Sequence, residues 1–183
     1  KLGKTFVTLD FMDFRGKTLE EDLRHRDFTF NAVALDLKNV FSAPSLSDLF
    51  IDPLSGRRDL QKGIIRQCHP DALPDDPLRI LRAFSFSALF GFSIDLMTMK
   101  SVKRHRLKLA RVSAERIRDE LFKVFSSPRP FAYIALMDAC KILRLIFPEI
   151  EKMRGVDQGP YHHLDILKHS LETVRQLEAL FEE

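Results

Sequence analysis

Pro74-Asp75-Asp76-Pro77-Leu78-Arg79-Ile80-Leu81-Arg82 is where the chain changes its hydrophobic period. Beyond Pro74, apolar residues recur at helical spacing. Leu78, Leu81, Phe84 and Leu89 mark one segment over about 75–90, which Gly91 stops. The pattern predicts further helices over about 95–108, over 114–126 behind an N-cap at Ser113, over 130–146 after Pro128 and Pro130, and over 163–182. Pro148 and residues 155–160 read as linker. Upstream the signals are different. Residues 4–14 alternate through Phe6, Val7, Leu9 and Phe11, as a strand does. Thr18 to Glu21 has the form of a capping box. Residues 28–37 predict a short helix turning into a strand, and 42–48 a loop. Phe50-Ile51 and Ile64-Ile65 are short strand candidates, and the stretch 52–56 carries turn chemistry. A small β-containing N-terminal piece followed by a helical array is an α+β pattern.

Composition removes several classes. The 183 residues are 45% hydrophobic and 30% charged, too apolar for a disordered chain. No apolar run reaches the roughly 20 residues of a membrane span. Cys68 and Cys140 form no disulfide framework, so a cytoplasmic location is expected. Sixteen Phe and no Trp read as core material rather than function. The net charge of +3 is mild, but its distribution is uneven. Lys100, Lys103, Arg104, Arg106, Lys108 and Arg111 fall in one short stretch without an acid. Such a cluster could follow a phosphate backbone, or be a solvated helix face. A first residue other than Met and an end inside an amphipathic pattern suggest a fragment.

Three groups of residues carry possible chemistry. Asp76 and Arg79 lie three apart on a helix and so neighbour each other. The carboxylate can accept from an exocyclic amine while the guanidinium donates to ring nitrogens or carbonyls. Taken alone, the pair reads more simply as a surface salt bridge. Arg26, Asp27 and Asn31 surround an apolar turn, and an Asp with an Arg could take ribose hydroxyls and phosphate oxygens. His162, Asp165 and His169 share helical spacing and could approach a metal, or be ordinary polar residues at a helix start.

In order, Arg26–Ala32 (Arg-Asp-Phe-Thr-x-Asn-Ala), Asp52–Leu60 (Asp-Pro-x-x-Gly-x-x-Asp-Leu), Asp75–Arg82 and Glu115–Leu121 (Glu-Arg-Ile-x-x-Glu-Leu) resemble the bacterial tRNA nucleotidyltransferase and poly(A) polymerase family, class II. The resemblance covers nearly the whole chain. It implies a polymerase-β-like head, with its C-terminal part at residues 1–68. A helical neck would span 69–126, a helical body 127–155, and the start of an HD-like domain 156–183. It implies transfer of nucleotides from CTP and ATP to an RNA 3′ hydroxyl with release of pyrophosphate. The leading version adds CCA, or CC or A alone, to tRNA. A poly(A) polymerase, a non-catalytic RNA-binding protein and an HD-linked phosphohydrolase are the alternatives.

The same resemblance assigns roles. Arg26, Asp27 and Asn31 would contact the nucleotide. Asp76 and Arg79 would read the base, positioned by Asp75 and Arg82. Asp52, Gly56 and Asp59 would form a flexible connector. Glu115, Arg116 and Glu120 would stabilise the helix behind the template. Lys103, Arg104, Arg106, Lys108 and Arg111 would carry RNA. The family's magnesium ions are held by an Asp-x-Asp pair, which this sequence does not contain. A third carboxylate is assigned to Asp10, with Asp13 as alternate. His162, His163 and His169 are possible metal ligands of the HD-like segment, which has no later His-Asp dipeptide. Three positions depart from the family: His25 where Arg is usual, Ser55 before Gly56 where a glycine pair is common, and Ser85 where an Arg is frequent.

Overall fold

The structure is a computed structural model that describes residues 11–38, 40–157, 159 and 163–181. Helix α1 (Leu19–Arg24) begins where expected: the Thr18 hydroxyl accepts from the Glu21 amide at 3.2 Å. The box is only half made, because the Glu21 carboxylate takes the Lys17 amide instead of that of Thr18. A 3-10 turn over Thr29–Asn31 leads into β1 (Ala34–Leu35), which pairs antiparallel with β2 (Phe50–Ile51). Helix α2 (Gly56–Lys62) is followed by β3 (Ile64–Ile65). The expected strand over 4–14 is corrected in its described part. Residues 11–14 are irregular, and their apolar side chains find no cover, with Phe11 89% exposed.

The helical part departs from expectation in two places, each for a local reason. The segment read as 75–90 is two helices, α3 (Ala72–Asp75) and α4 (Leu78–Phe90), with Asp76 extended between them. Pro77 disfavours the helical conformation at the residue before it. The segment read as 130–146 is also two, α7 (Pro130–Ala139) and α8 (Leu143–Ile146). Lys141 adopts a left-handed φ of 60°. Its amide donates to Asp138 O and that of Ile142 to Met137 O, a Schellman turn with buried Ile142 as its hydrophobic contact. Between these pairs lie β4 (Ser93–Ile94), α5 (Leu96–His105), a 3-10 turn over Arg106–Arg111, and α6 (Ala114–Phe125). Ser113 holds the N-cap position of α6, but its hydroxyl caps no backbone amide. Helices α9 (Ile150–Met153) and α10 (Ile166–Phe181) complete the described chain.

Helix α4 is the centre of the core. Ile80, Leu81, Ala83 and Phe84 are buried, and α4 packs against α6 and α7. An aromatic cluster of Phe28, Phe30, Phe86, Phe90 and Phe92 joins α4 to the turn after α1. The N-terminal piece and the helices are also tied across residue 68. Strand β3 pairs parallel with β4. Arg66 bonds both Asp59, at 2.9 Å, and Asp95, at 2.8 Å, while Asp95 also caps α5. Gly56 is needed at its position, since a Cβ there would lie 1.9 Å from the Thr29 carbonyl oxygen. Among the described residues, no helix is long and apolar enough to cross a membrane.

Candidate nucleotide-binding cleft

The end of α1, the turn after it, the start of α4 and the start of α6 converge on one cleft of about 250 Å³. Arg15, Arg26, Arg79, Arg82 and Arg116 line it with Asp22, Asp27, Asp76 and Asn31. Cations outnumber acids, so the cleft suits a polyanion.

Its acids are anchored first. Asp27 is buried, and both of its oxygens are engaged. One accepts the Phe28 amide at 2.8 Å and Asn31 Nδ2 at 3.3 Å. The other accepts Arg82 Nε at 2.8 Å and a terminal nitrogen at 2.6 Å. Arg82 also lies 4.8 Å over the Phe86 ring and 3.9 Å from Glu120. Buried Glu120 accepts from the Ser85 hydroxyl and from Lys123 Nζ at 2.7 Å. Charges thus alternate from Asp27 through Arg82 and Glu120 to Lys123. Ser85, the departure from the family, serves this chain as a neutral donor.

Asp22 was not singled out from the sequence. Its side chain is buried beside the cleft and takes the Arg15 amide at 3.0 Å and Arg26 at 3.2 Å. Burial pushes its carboxyl up, but the Arg15 amide and the Arg26 guanidinium together hold it below the ordinary aspartate value. The available signal was the i,i+4 spacing of Asp22 and Arg26.

The two proposed base readers are differently placed. Arg79 is only 7% exposed, and its guanidinium donates to the carbonyls of His25, Arg26 and Ala72. It therefore holds the chain leaving α1 and leaves at most part of its five-donor fork for a ligand. Asp76 is more open. Its carboxylate accepts the Leu78 amide at 3.3 Å, fixing it at the start of α4, and pairs with Arg116 of α6 at 3.2 Å. Asp75 and Glu115 are exposed and do not line the cleft. The Glu115 carboxyl bonds its own amide and the Ser113 hydroxyl, which keep it low.

The residues read as a connector form fixed contacts. Asp52 accepts the Gly56 and Arg57 amides at 2.6 and 3.0 Å, capping α2. Buried Asp59 takes the Thr29 hydroxyl at 2.7 Å as well as Arg66. Beside Asp27, the Cys68 thiol is pushed up to about 12, by burial first and then by the Asp27 charge, so it stays protonated. In the basic stretch, Lys100, Lys103, Arg104 and Arg111 are exposed and make no salt bridge among the described residues. Arg106 turns back onto the Lys103 carbonyl and Lys108 reaches the Pro74 carbonyl at 3.4 Å.

The metal candidates do not assemble. Asp10 and His162 lie outside the described residues. Asp13, His163 and His169 are exposed, and Asp165 caps α10 through the Lys168 amide at 2.8 Å. Among the described residues, no group of three or more His, Cys, Asp or Glu could hold a metal ion. The described part of this chain therefore does not fit the family's magnesium site on its own.

Residues 5–66 match the family described as "Poly A polymerase head domain", and residues 91–153 match "Probable RNA and SrmB-binding site of polymerase A". The chain belongs to the bacterial tRNA nucleotidyltransferase and poly(A) polymerase family. It is 37% identical over 164 residues to the A-adding tRNA nucleotidyltransferase of Deinococcus radiodurans, covering 87% of this chain and 36% of that protein. It is 39% identical over 141 residues to the CC-adding tRNA nucleotidyltransferase of Geobacter sulfurreducens, covering 77% of this chain and 31% of that protein. The solved structure of the Thermotoga maritima CCA-adding enzyme complexed with tRNA superposes with a TM-score of 0.63 at 36% identity, covering 72% of this chain and 31% of that one. The chain thus spans about a third of the length of these members. The α+β architecture, a small β-containing piece followed by helices, agrees with theirs.

Proposed function

We propose that the protein is a template-independent nucleotidyltransferase that adds CCA, or CC or A alone, to the 3′ end of tRNA from CTP and ATP, releasing pyrophosphate. The observation that carries this reading is the arginine-rich cleft, on which residues of three of the four family motifs converge. Arg26 is the half-exposed cation that, paired with Asp22 through Nε and one terminal nitrogen, has its other donors left for phosphate oxygens, and Asp76 is the half-exposed carboxylate able to accept from a base amine. Asp27 and Arg82 form the rigid floor that orients them. The exposed cations Lys103, Arg104 and Arg111 are the proposed track for the RNA acceptor, with Arg106 and Lys108 behind them.

Magnesium belongs to this proposal as the ion that supplies charge stabilisation at the transferred phosphate. Asp10 is the proposed ligand from this chain. The test is incorporation by the full-length protein on tRNA lacking its 3′ nucleotides, with CTP and ATP given singly and together. Addition that stops within three nucleotides supports the proposal. Unlimited adenosine tailing points instead to the poly(A) polymerase reading, and binding of tRNA without any incorporation points to an RNA-binding role.

A further inference from the structure

Asp76 is held on two sides. The Leu78 amide fixes one oxygen, and one terminal nitrogen of Arg116 straddles both, at 3.4 and 3.2 Å. Arg116 comes from α6, which lies 40 residues further along the chain. Its place in that helix needs an explanation, because it sits in the first turn. There a cation opposes the helix dipole, and Ser113 three residues before it would make a capping box with Glu or Gln. Helix stability therefore does not favour an Arg at this position. Contact across the cleft with Asp76 does.

We propose that Arg116 is a latch on the base-reading carboxylate and sets which nucleobases can engage it. This rests on the proposed role of Asp76. An exocyclic amine, as on cytosine or adenine, donates to the two oxygens that Arg116 straddles, so it competes with the guanidinium for them. A carbonyl in place of that amine, as O4 of uracil, cannot donate to Asp76 but can accept from Arg116. The latch therefore weakens amine-bearing bases and gives carbonyl-bearing ones a donor. Both partners are solvent-accessible, at 54% and 36% of their side chains, so the contact is that of an exposed pair. Its competition amounts to about two- to fivefold in affinity.

The test is equilibrium binding of CTP and UTP to the full-length protein. Arg116→Gln should tighten CTP about two- to fivefold and leave UTP unchanged or weaker, raising the preference for CTP. Arg116→Lys, which keeps the charge but lacks the planar fork, should fall between. In an Asp76→Asn background, Arg116→Gln should have no further effect on CTP. Thermal unfolding of Arg116→Gln should match the wild type or exceed it, given the completed capping box. The two ideas fail separately. If Asp76→Asn leaves the preference for CTP over UTP unchanged, the base-reading role falls and the latch with it. If Asp76→Asn abolishes the preference but Arg116→Gln weakens CTP or leaves it unaltered, the latch alone is overturned.

Discussion

Replacing Arg82 with Met removes a cation while keeping most of the apolar stem against Phe86. Asp27 would keep its bonds from the Phe28 amide and Asn31 but lose both guanidinium bonds, at 2.8 and 2.6 Å. Glu120 would lose a cation 3.9 Å away but keep Ser85 and Lys123. Breaking a buried ion pair from one side costs about 3–5 kcal/mol, because the surviving charge is left uncompensated. The Arg82 side chain is 28% exposed, so water reaches the vacated position. That sets the expectation at the lower end, about 3 kcal/mol. Urea unfolding measures it. With a slope near ~2 kcal/mol per molar, the midpoint should fall by about 1.5 M at unchanged slope. The double substitution Asp27→Asn with Arg82→Met neutralises the stranded acid and should recover about 1–2 kcal/mol over Arg82→Met alone. A loss below about 1 kcal/mol, the size of an exposed pair, would refute the buried-network argument. So would strict additivity of the two substitutions.

Two further outcomes are expected. The Asp22 carboxyl is held low in the folded chain, so its contribution is present above the ordinary aspartate range and is lost as pH falls through the lowered value. Asp22→Asn should therefore be less stable than wild type at pH 7, and the difference should narrow below about pH 4. A urea-midpoint difference that stays constant to acid pH would remove the charge from the explanation. On the basic ridge, Lys103→Gln with Arg104→Gln in the full-length protein should weaken tRNA binding and reduce the slope of log affinity against log salt by about 1.5. An unchanged slope in a filter-binding titration would take these two side chains off the RNA path.

Local punctuation was readable in the sequence, and long-range packing was not. Gly91 ends α4 with a φ of 70°, as its type suggested, and the short strands at Phe50-Ile51 and Ile64-Ile65 form where turn residues bracket them. The break at Asp76 follows from Pro77, a local rule that outweighs the apolar period there. The break at Lys141 had no such sign. Lysine is not a residue that announces a left-handed turn, and the turn exists because it seats Ile142 in the core.

The cleft divides along the same line. Its residue types follow from the motifs, yet the work of Asp27, Asp76, Arg79, Arg82 and Arg116 depends on partners 40 to 55 residues away. Helical spacing over 75–90 pairs Asp76 with Arg79 and leaves Arg82 as a support. In three dimensions Arg79 faces the carbonyls after α1, Arg82 neutralises Asp27, and the cation beside Asp76 comes from α6. Three arginines of similar chemistry thus differ in what competes for them. Arg79 and Arg82 are bound to buried groups whose loss of a partner is costly, while Arg116 holds an exposed carboxylate by a contact that a ligand can replace. A motif specifies which side chains a site contains. Which of them can let go is decided by burial, and that is where the proposed selectivity between bases has room to act.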